Sequence, residues 1–152
     1  LISCDANVLV YAHNTADPRH AEYAEWLQAV LNDDNPFGLS SVVASGFLRI
    51  VTNPKILTQP LSTDRALEAV ERIRTAPATV PMEPGRRHWS IFTQLCQRVG
   101  AKGNTVPDAY LAALAIEHDA QWYMADRGFA RFPGLRGRHP LDPEMPPRQR
   151  AK

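Results

Sequence analysis

Short apolar runs alternate with longer stretches of helical periodicity along nearly the whole chain, and this alternation constrains the fold more than any other feature. Runs at residues 2–4, 37–39, 79–82 and 122–125 read as strands, with a last short one at 138–141. Between them, apolar positions recur at helical spacing. Ala21, Ala24, Leu27, Val30 and Leu31 predict a helix over 20–31, and Trp89, Phe92, Leu95, Cys96 and Val99 one over 88–99. Leu67, Val70 and Ile73 mark another that starts at Ser62, Thr63 and Asp64 and stops before Pro77. Ser40 or Ser41 caps a helix over 42–52, which Asn53-Pro54 ends. A short helix is expected over 7–13. A further one begins at Asn104 or Thr105, with Pro107 in its first turn, and ends near His118. Strands that alternate with helices predict an α/β fold: a three-layer α/β/α sandwich around a central, mostly parallel sheet.

That fold gives meaning to three acids. In an open α/β sheet, ligands bind outside the carboxyl ends of the strands. Asp5 directly follows the first apolar run, Asp126 follows the run 122–125, and Asp108 opens an alanine-rich helix. Each has an ordinary structural role open to it. Asp5 can cap the next helix, Asp108 can favour the positive end of its helix, and Asp126 can form a turn with Gly128. Taken together, three acids at three strand-edge junctions suit a hard divalent cation, magnesium or manganese. Asn7 is placed to orient Asp5 and meet substrate. Arg127 and Arg131 are candidate phosphate contacts, since guanidinium matches phosphate geometry. There is no phosphate-binding glycine loop, no nucleophile elbow and no paired-histidine zinc spacing. His13, His20, His88, His118 and His139 are scattered, as surface or hydrogen-bonded histidines would be.

Charge and cysteine content narrow the setting. Seven basic residues against Asp142 and Glu144 leave the segment after Asp126 at +5, so the rest carries −4 of the chain's net +1. An acidic body beside a basic segment suits a metal site next to a phosphate-binding surface. Residues 1–141 read as one domain and 142–152 as a flexible, basic, Pro-rich tail. Cys4 and Cys96 form no framework and read as buried thiols in a reducing, cytoplasmic setting. No apolar run approaches a membrane span or a signal peptide.

Four segments then carry a resemblance. Residues 5–12 (Asp-Ala-Asn-Val-Leu-Val-Tyr-Ala), 47–54 (Phe-Leu-Arg-Ile-Val-Thr-Asn-Pro), 106–113 (Val-Pro-Asp-Ala-Tyr-Leu-Ala-Ala) and 125–135 follow the order of motifs in the PIN-domain ribonucleases. Within that family the chain resembles the VapC-type toxins of toxin–antitoxin pairs. The resemblance implies a PIN-like sandwich and magnesium- or manganese-dependent cleavage of RNA, with Asp5, Asp108 and Asp126 catalytic and metal-binding. It also implies a homodimer and a VapB-type antitoxin whose tail enters the acidic site.

One departure stands out. The family's second motif usually carries a glutamate just before the aromatic–arginine pair, here Phe47 and Arg49. Residues 40–46 hold no acid, and Ala44 or Gly46 takes its place. Gly128 also stands where the fourth motif often has a second acid. Three acids are therefore available, and the expectation is one metal held by Asp5 and Asp108, with Asp126 acting through water. Two other readings follow: a PIN-fold module that binds RNA or antitoxin but cleaves little, and a metal-dependent phosphohydrolase of small esters. Residues 8–12 or the helix 20–31 are expected at the dimer or antitoxin contacts.

Overall fold

The structure, a computed structural model, describes residues 1–142; the expected tail from Pro143 onward and the side chain of Arg127 lie outside what it describes. Five strands form a single sheet: β1 (Ile2–Cys4), β2 (Phe37–Leu39), β3 (Thr79–Pro81), β4 (Gln121–Tyr123) and β5 (Arg136–Arg138). Their order is β3-β2-β1-β4-β5, and every pairing is parallel. Three of them shift from expectation. β4 starts one residue early and ends at Tyr123, because Gln121–Tyr123 pairs with Ile2–Cys4 and that partner strand ends at Cys4. β5 is Arg136–Arg138 rather than 138–141, since its register is set by β4. β3 stops at Pro81, whose missing N–H an edge strand tolerates, and the next amide, that of Met82, still donates to the Leu39 carbonyl at 3.0 Å.

Six helices cover the sheet: α1 (Ala6–His13), α2 (His20–Leu31), α3 (Ser41–Val51), α4 (Thr63–Arg74), α5 (His88–Val99) and α6 (Thr105–Glu117). Helices α1 to α4 form one connected layer, and α5 packs on α6. The chain winds from β1 outward to β3, then crosses back past β1 to β4. Right-handed crossovers therefore put the two helix groups on opposite faces, giving the expected α/β/α sandwich. Capping is local and readable. Ser40 Oγ accepts from the Val43 amide at 3.1 Å, Ser62 Oγ from Arg65 at 3.2 Å, and Gly100 ends α5 at φ 62°.

Which helix face turns inward differs in several places. On α4, Ala66, Ala69 and Ile73 are buried while Leu67 is 50% exposed. On α5, His88 is buried and Trp89 is 67% exposed. On α2, Tyr23, Leu27 and Val30 point inward and Ala21 outward. Val8, Leu9, Val10 and Ala12 are all buried within this one chain and belong to its core, which leaves only half-buried Tyr11 of residues 8–12 for an outside contact. Small side chains do the close packing on α6, where Ala109, Ala112, Ala113 and Ala115 are fully buried with Leu111 and Leu114. No helix among the described residues is long and apolar enough to cross a membrane.

Candidate active site

The strand order reverses at β1, between β2 and β4, and the crevice of such a sheet opens at the carboxyl ends there. Asp5 stands at that point. Its amide donates to the Tyr123 carbonyl at 2.9 Å, one step past the β1–β4 ladder, which fixes it over the end of β4. Its side chain caps α1, Oδ1 accepting from the Ala6 amide at 2.7 Å. The carboxylate is only 8% exposed. Burial pushes its pKa up to about 6 against the Ala6 hydrogen bond, and the charges of Asp108 and Asp126 add to the rise. Asp5 is thus both a helix cap and a member of an acidic cluster.

The other two acids arrive from different elements. Asp108, in the first turn of α6, is half-buried, and its pKa is raised by burial and by Asp126, with Arg131 opposing. Asp126 is exposed and caps the 3-10 turn Arg127–Arg131, its Oδ1 accepting from the Gly128 amide at 2.8 Å. Arg131 bridges that turn and α6: Nε donates to the Gly128 carbonyl at 2.8 Å and Nη1 to the Thr105 hydroxyl at 3.2 Å. Thr105, which sequence reasoning read only as a cap, is therefore an anchor for the cation that faces Asp108. Asn7 is exposed at the second position of α1; the hydrogen bond to Asp5 comes from Ala6 instead. The Cys4 thiol, buried and beside Asp5, is pushed well up and stays protonated.

The two glycines at the departures sit in different settings. A Cβ at Gly46 would meet only Ala6 Cβ, at 3.4 Å, so position 46 faces the residue next to Asp5. Ala44 instead lines a cleft of about 430 Å³ between α3, α4 and β3. Of the two positions for the absent glutamate, Gly46 is the one turned toward the acids. At Gly128 a Cβ would meet Arg131 Nη2 at 3.0 Å and Asp126 Oδ1 at 3.2 Å. The space of a further acid there is filled by guanidinium. Glu83, another carboxylate beyond a strand end, is committed elsewhere, accepting from the Ser41 amide at 2.8 Å and so capping α3.

The donor set suits a hard divalent cation. The charges of Asp108 and Asp126 raise the proton affinity of Asp5, and that of Asp126 raises the proton affinity of Asp108; a cation among them relieves that repulsion. Magnesium keeps several waters and needs only one or two carboxylates. Among the described residues no three His, Cys, Asp or Glu side chains form a ready-made cage for a metal ion. The described histidines make local pairs instead: His13 with the Leu9 carbonyl at 2.7 Å, His88 with that of Tyr110 at 2.9 Å and His118 with that of Glu83 at 2.6 Å, while His139 meets the Tyr23 hydroxyl through Nε2 and accepts from the Leu141 amide through Nδ1.

The model of the PIN domain matches residues 2–135. Ribonuclease VapC43 of Mycobacterium tuberculosis is 49% identical over 142 residues, which span 93% of this chain and 97% of that one. The chain belongs to the PIN-domain family, among its VapC proteins. Ribonuclease VapC31 of the same organism is 38% identical to this PIN-domain chain over 87% of its length and 93% of its own. Two solved structures share the PIN fold at lower identity. The crystal structure of VapBC2 from Rickettsia felis, bound to a DNA fragment from their promoter, superposes with a TM-score of 0.67 at 16% identity, over 91% of this chain and 97% of that one. Mycobacterium tuberculosis VapC20, a sarcin-ricin loop cleaving toxin, gives 0.63 at 17%, over 90% and 99%.

Proposed function

We propose that this PIN-domain chain is the endoribonuclease toxin of a type II toxin–antitoxin pair, and that it hydrolyses RNA phosphodiester bonds with magnesium or manganese. The observation that carries the reading is the electrostatic coupling of Asp5, Asp108 and Asp126 at the reversal point of a parallel sheet. The names of its relatives, ribonucleases of the VapC type, support the substrate class. Asp5 and Asp108 would hold the cation directly and Asp126 through water. A cation there supplies a water of lowered pKa and positive charge for the phosphodiester. The chain's own groups do the rest. Asp5 is held in place by the Ala6 amide. Arg131, tied to Gly128 and Thr105, presents a pre-set cation to a phosphate beside Asp108. Asn7 is exposed toward substrate, and Arg127 is a second phosphate candidate.

A VapB-type antitoxin and a homodimer complete the proposal, the first supported by the VapBC2 neighbour's name. A cytoplasmic setting accords with an RNA substrate and two free cysteines, Cys4 and Cys96. The unit that acts is the domain of residues 1–141. The test is cleavage of RNA by purified, antitoxin-free protein with magnesium, with manganese and with chelator, beside Asp5→Ala. Cutting that needs the metal and Asp5 is expected. If neither metal supports cutting, the ribonuclease reading fails; if Asp5→Ala cuts as well as the parent, the site assignment fails. The absence of an acid at Gly46 favours one rival, a module that binds RNA without cutting it. That rival predicts RNA binding in the same samples with no metal-dependent product. A panel of small phosphate esters tests the phosphohydrolase alternative.

A further inference from the structure

A second group of side chains at the carboxyl edge has no part in the acidic site. The guanidinium of Arg19, in the loop between α1 and α2, lies 4.8 Å from the Tyr11 ring centroid and 5.7 Å from that of Tyr23. The two rings pack at 4.9 Å. Tyr23 is completely buried, and its hydroxyl meets His139 Nε2 at 3.3 Å, one residue past the end of β5. Arg19 itself is 48% exposed at its side chain. Asp17 holds the loop from below, accepting from the Arg19 amide at 2.8 Å; its ion pair with Nε, at 3.7 Å, is longer than a hydrogen bond. The result is a cation whose plane is fixed on two aromatic faces and whose outer side is open to solvent.

Its position relates it to the acids. Tyr11 lies in α1, the helix that Asp5 caps, about 9 Å along the axis from that carboxylate at 1.5 Å per residue. His139 follows β5, two strands from β1, so roughly 10 Å across the sheet at 4.8 Å per strand. A polymer lying across the carboxyl edge on the β5 side would therefore meet Arg19 and the acids together. The exposed side of the fixed guanidinium offers a single nucleic-acid strand a charge for phosphate and a plane on which a base stacks, with buried Tyr23 and half-buried Tyr11 holding that plane in place. Arg19 is already immobilised, so little side-chain entropy is lost when it engages.

We propose that Arg19, supported by Tyr11 and Tyr23, is a contact for single-stranded RNA that positions the strand across the acidic site. The inference rests on the ribonuclease reading for its ligand but uses none of the metal-binding residues. The first measurement is binding of a fluorescently labelled single-stranded RNA oligonucleotide to Asp108→Asn protein, followed by anisotropy over a series of salt concentrations. Arg19→Gln in that background should weaken binding roughly fivefold to tenfold, and make the slope of log K against log salt shallower by about 0.7, as loss of one phosphate contact on a single strand does. Arg19→Lys should restore the slope but only part of the affinity, because the planar stack is gone. With Asp108 intact, Arg19→Gln should raise KM and leave kcat near the parent value.

Unchanged affinity and slope in Arg19→Gln overturn the proposal. So does a loss of affinity that appears only with a matching fall in melting temperature, which would make Arg19 a staple between α1 and α2. If the parent cuts RNA and Arg19→Gln is indifferent, this contact alone is lost. If the parent neither binds nor cuts RNA, the ribonuclease reading falls with it.

Discussion

Asp108 and Glu117 are carboxylates of one helix, in the first and last turns of α6. The helix macrodipole favours an anion at the first position and disfavours one at the second. The structure reverses that ranking. The pKa of Asp108 is raised, by burial and by Asp126, in spite of the dipole and of Arg131. That of Glu117 is lowered: burial works against it, but the amides of Gly85 and Arg87 donate to it at 2.8 and 2.9 Å, with His118 and His88 nearby. Glu117 clasps the connection from β3 to α5 and has every partner an anion needs. Asp108 faces other anions. A carboxylate satisfied by amides builds structure, whereas one kept among like charges at a sheet's carboxyl edge is poised for a cation. The difference lies in the partners that the fold supplies, and the helix itself contributes less.

Four measurements test this contrast. The largest effect is expected for Asp108→Asn, which should lower RNA cleavage by about 100-fold or more, with the circular dichroism spectrum unchanged. A structural acid would not behave so. Next, magnesium at about 100 times its Kd should raise unfolding free energy by about 2.7 kcal/mol in chemical denaturation, as mass action requires, and chelator should remove the gain. The same titration on Asp5→Asn should show little stabilisation.

The third concerns pH in metal-free protein. Asp5 has a folded pKa of about 6 against an ordinary 3.8. The folded chain holds this proton more tightly, so the group's stabilising contribution is full below 3.8 and is lost as pH rises through about 6. Asp5→Asn, which can still cap α1, should therefore be more stable than the parent above pH 6 by on the order of 1–3 kcal/mol, and equal to it near pH 4. A variant less stable at neutral pH would show that Asp5 is chiefly a cap. Smallest is Glu117→Ala. It should cost about 1 kcal/mol by leaving the amides of Gly85 and Arg87 to water, with cleavage unaltered.

Much of this was legible from residue order. The boundaries of β1, β2, α2 and α5 follow directly from apolar runs, caps and glycine stops. Three strand-edge acids pointed to one site because parallel topology sends every such junction to the same edge. Helix faces were less legible. A large residue such as Leu67 or Trp89 was expected inside, yet Ala66 and Ala69 let α4 approach closely and Leu67 stays out. The Glu117 clasp and the Thr105–Arg131 tie left no periodic signal at all. They depend on where an irregular connection passes, and no spacing rule encodes that. For the absent second-motif acid, the residues alone could not choose between Ala44 and Gly46; the proximity of Gly46 to Ala6 does.

The place of β1 in the sheet has a consequence for synthesis. Ile2 pairs with Gln121 and Cys4 with Tyr123, so the central strand acquires its β4 neighbour only after the residues of β2, β3 and all six helices have been made. Asp5 leaves the ribosome before Asp108 and Asp126 and waits for them. Because domains fold as units, no nascent fragment ending before Asp126 holds all three acids. If the chain cuts RNA, the ribosome making it is shielded from its product until Asp126 has been made.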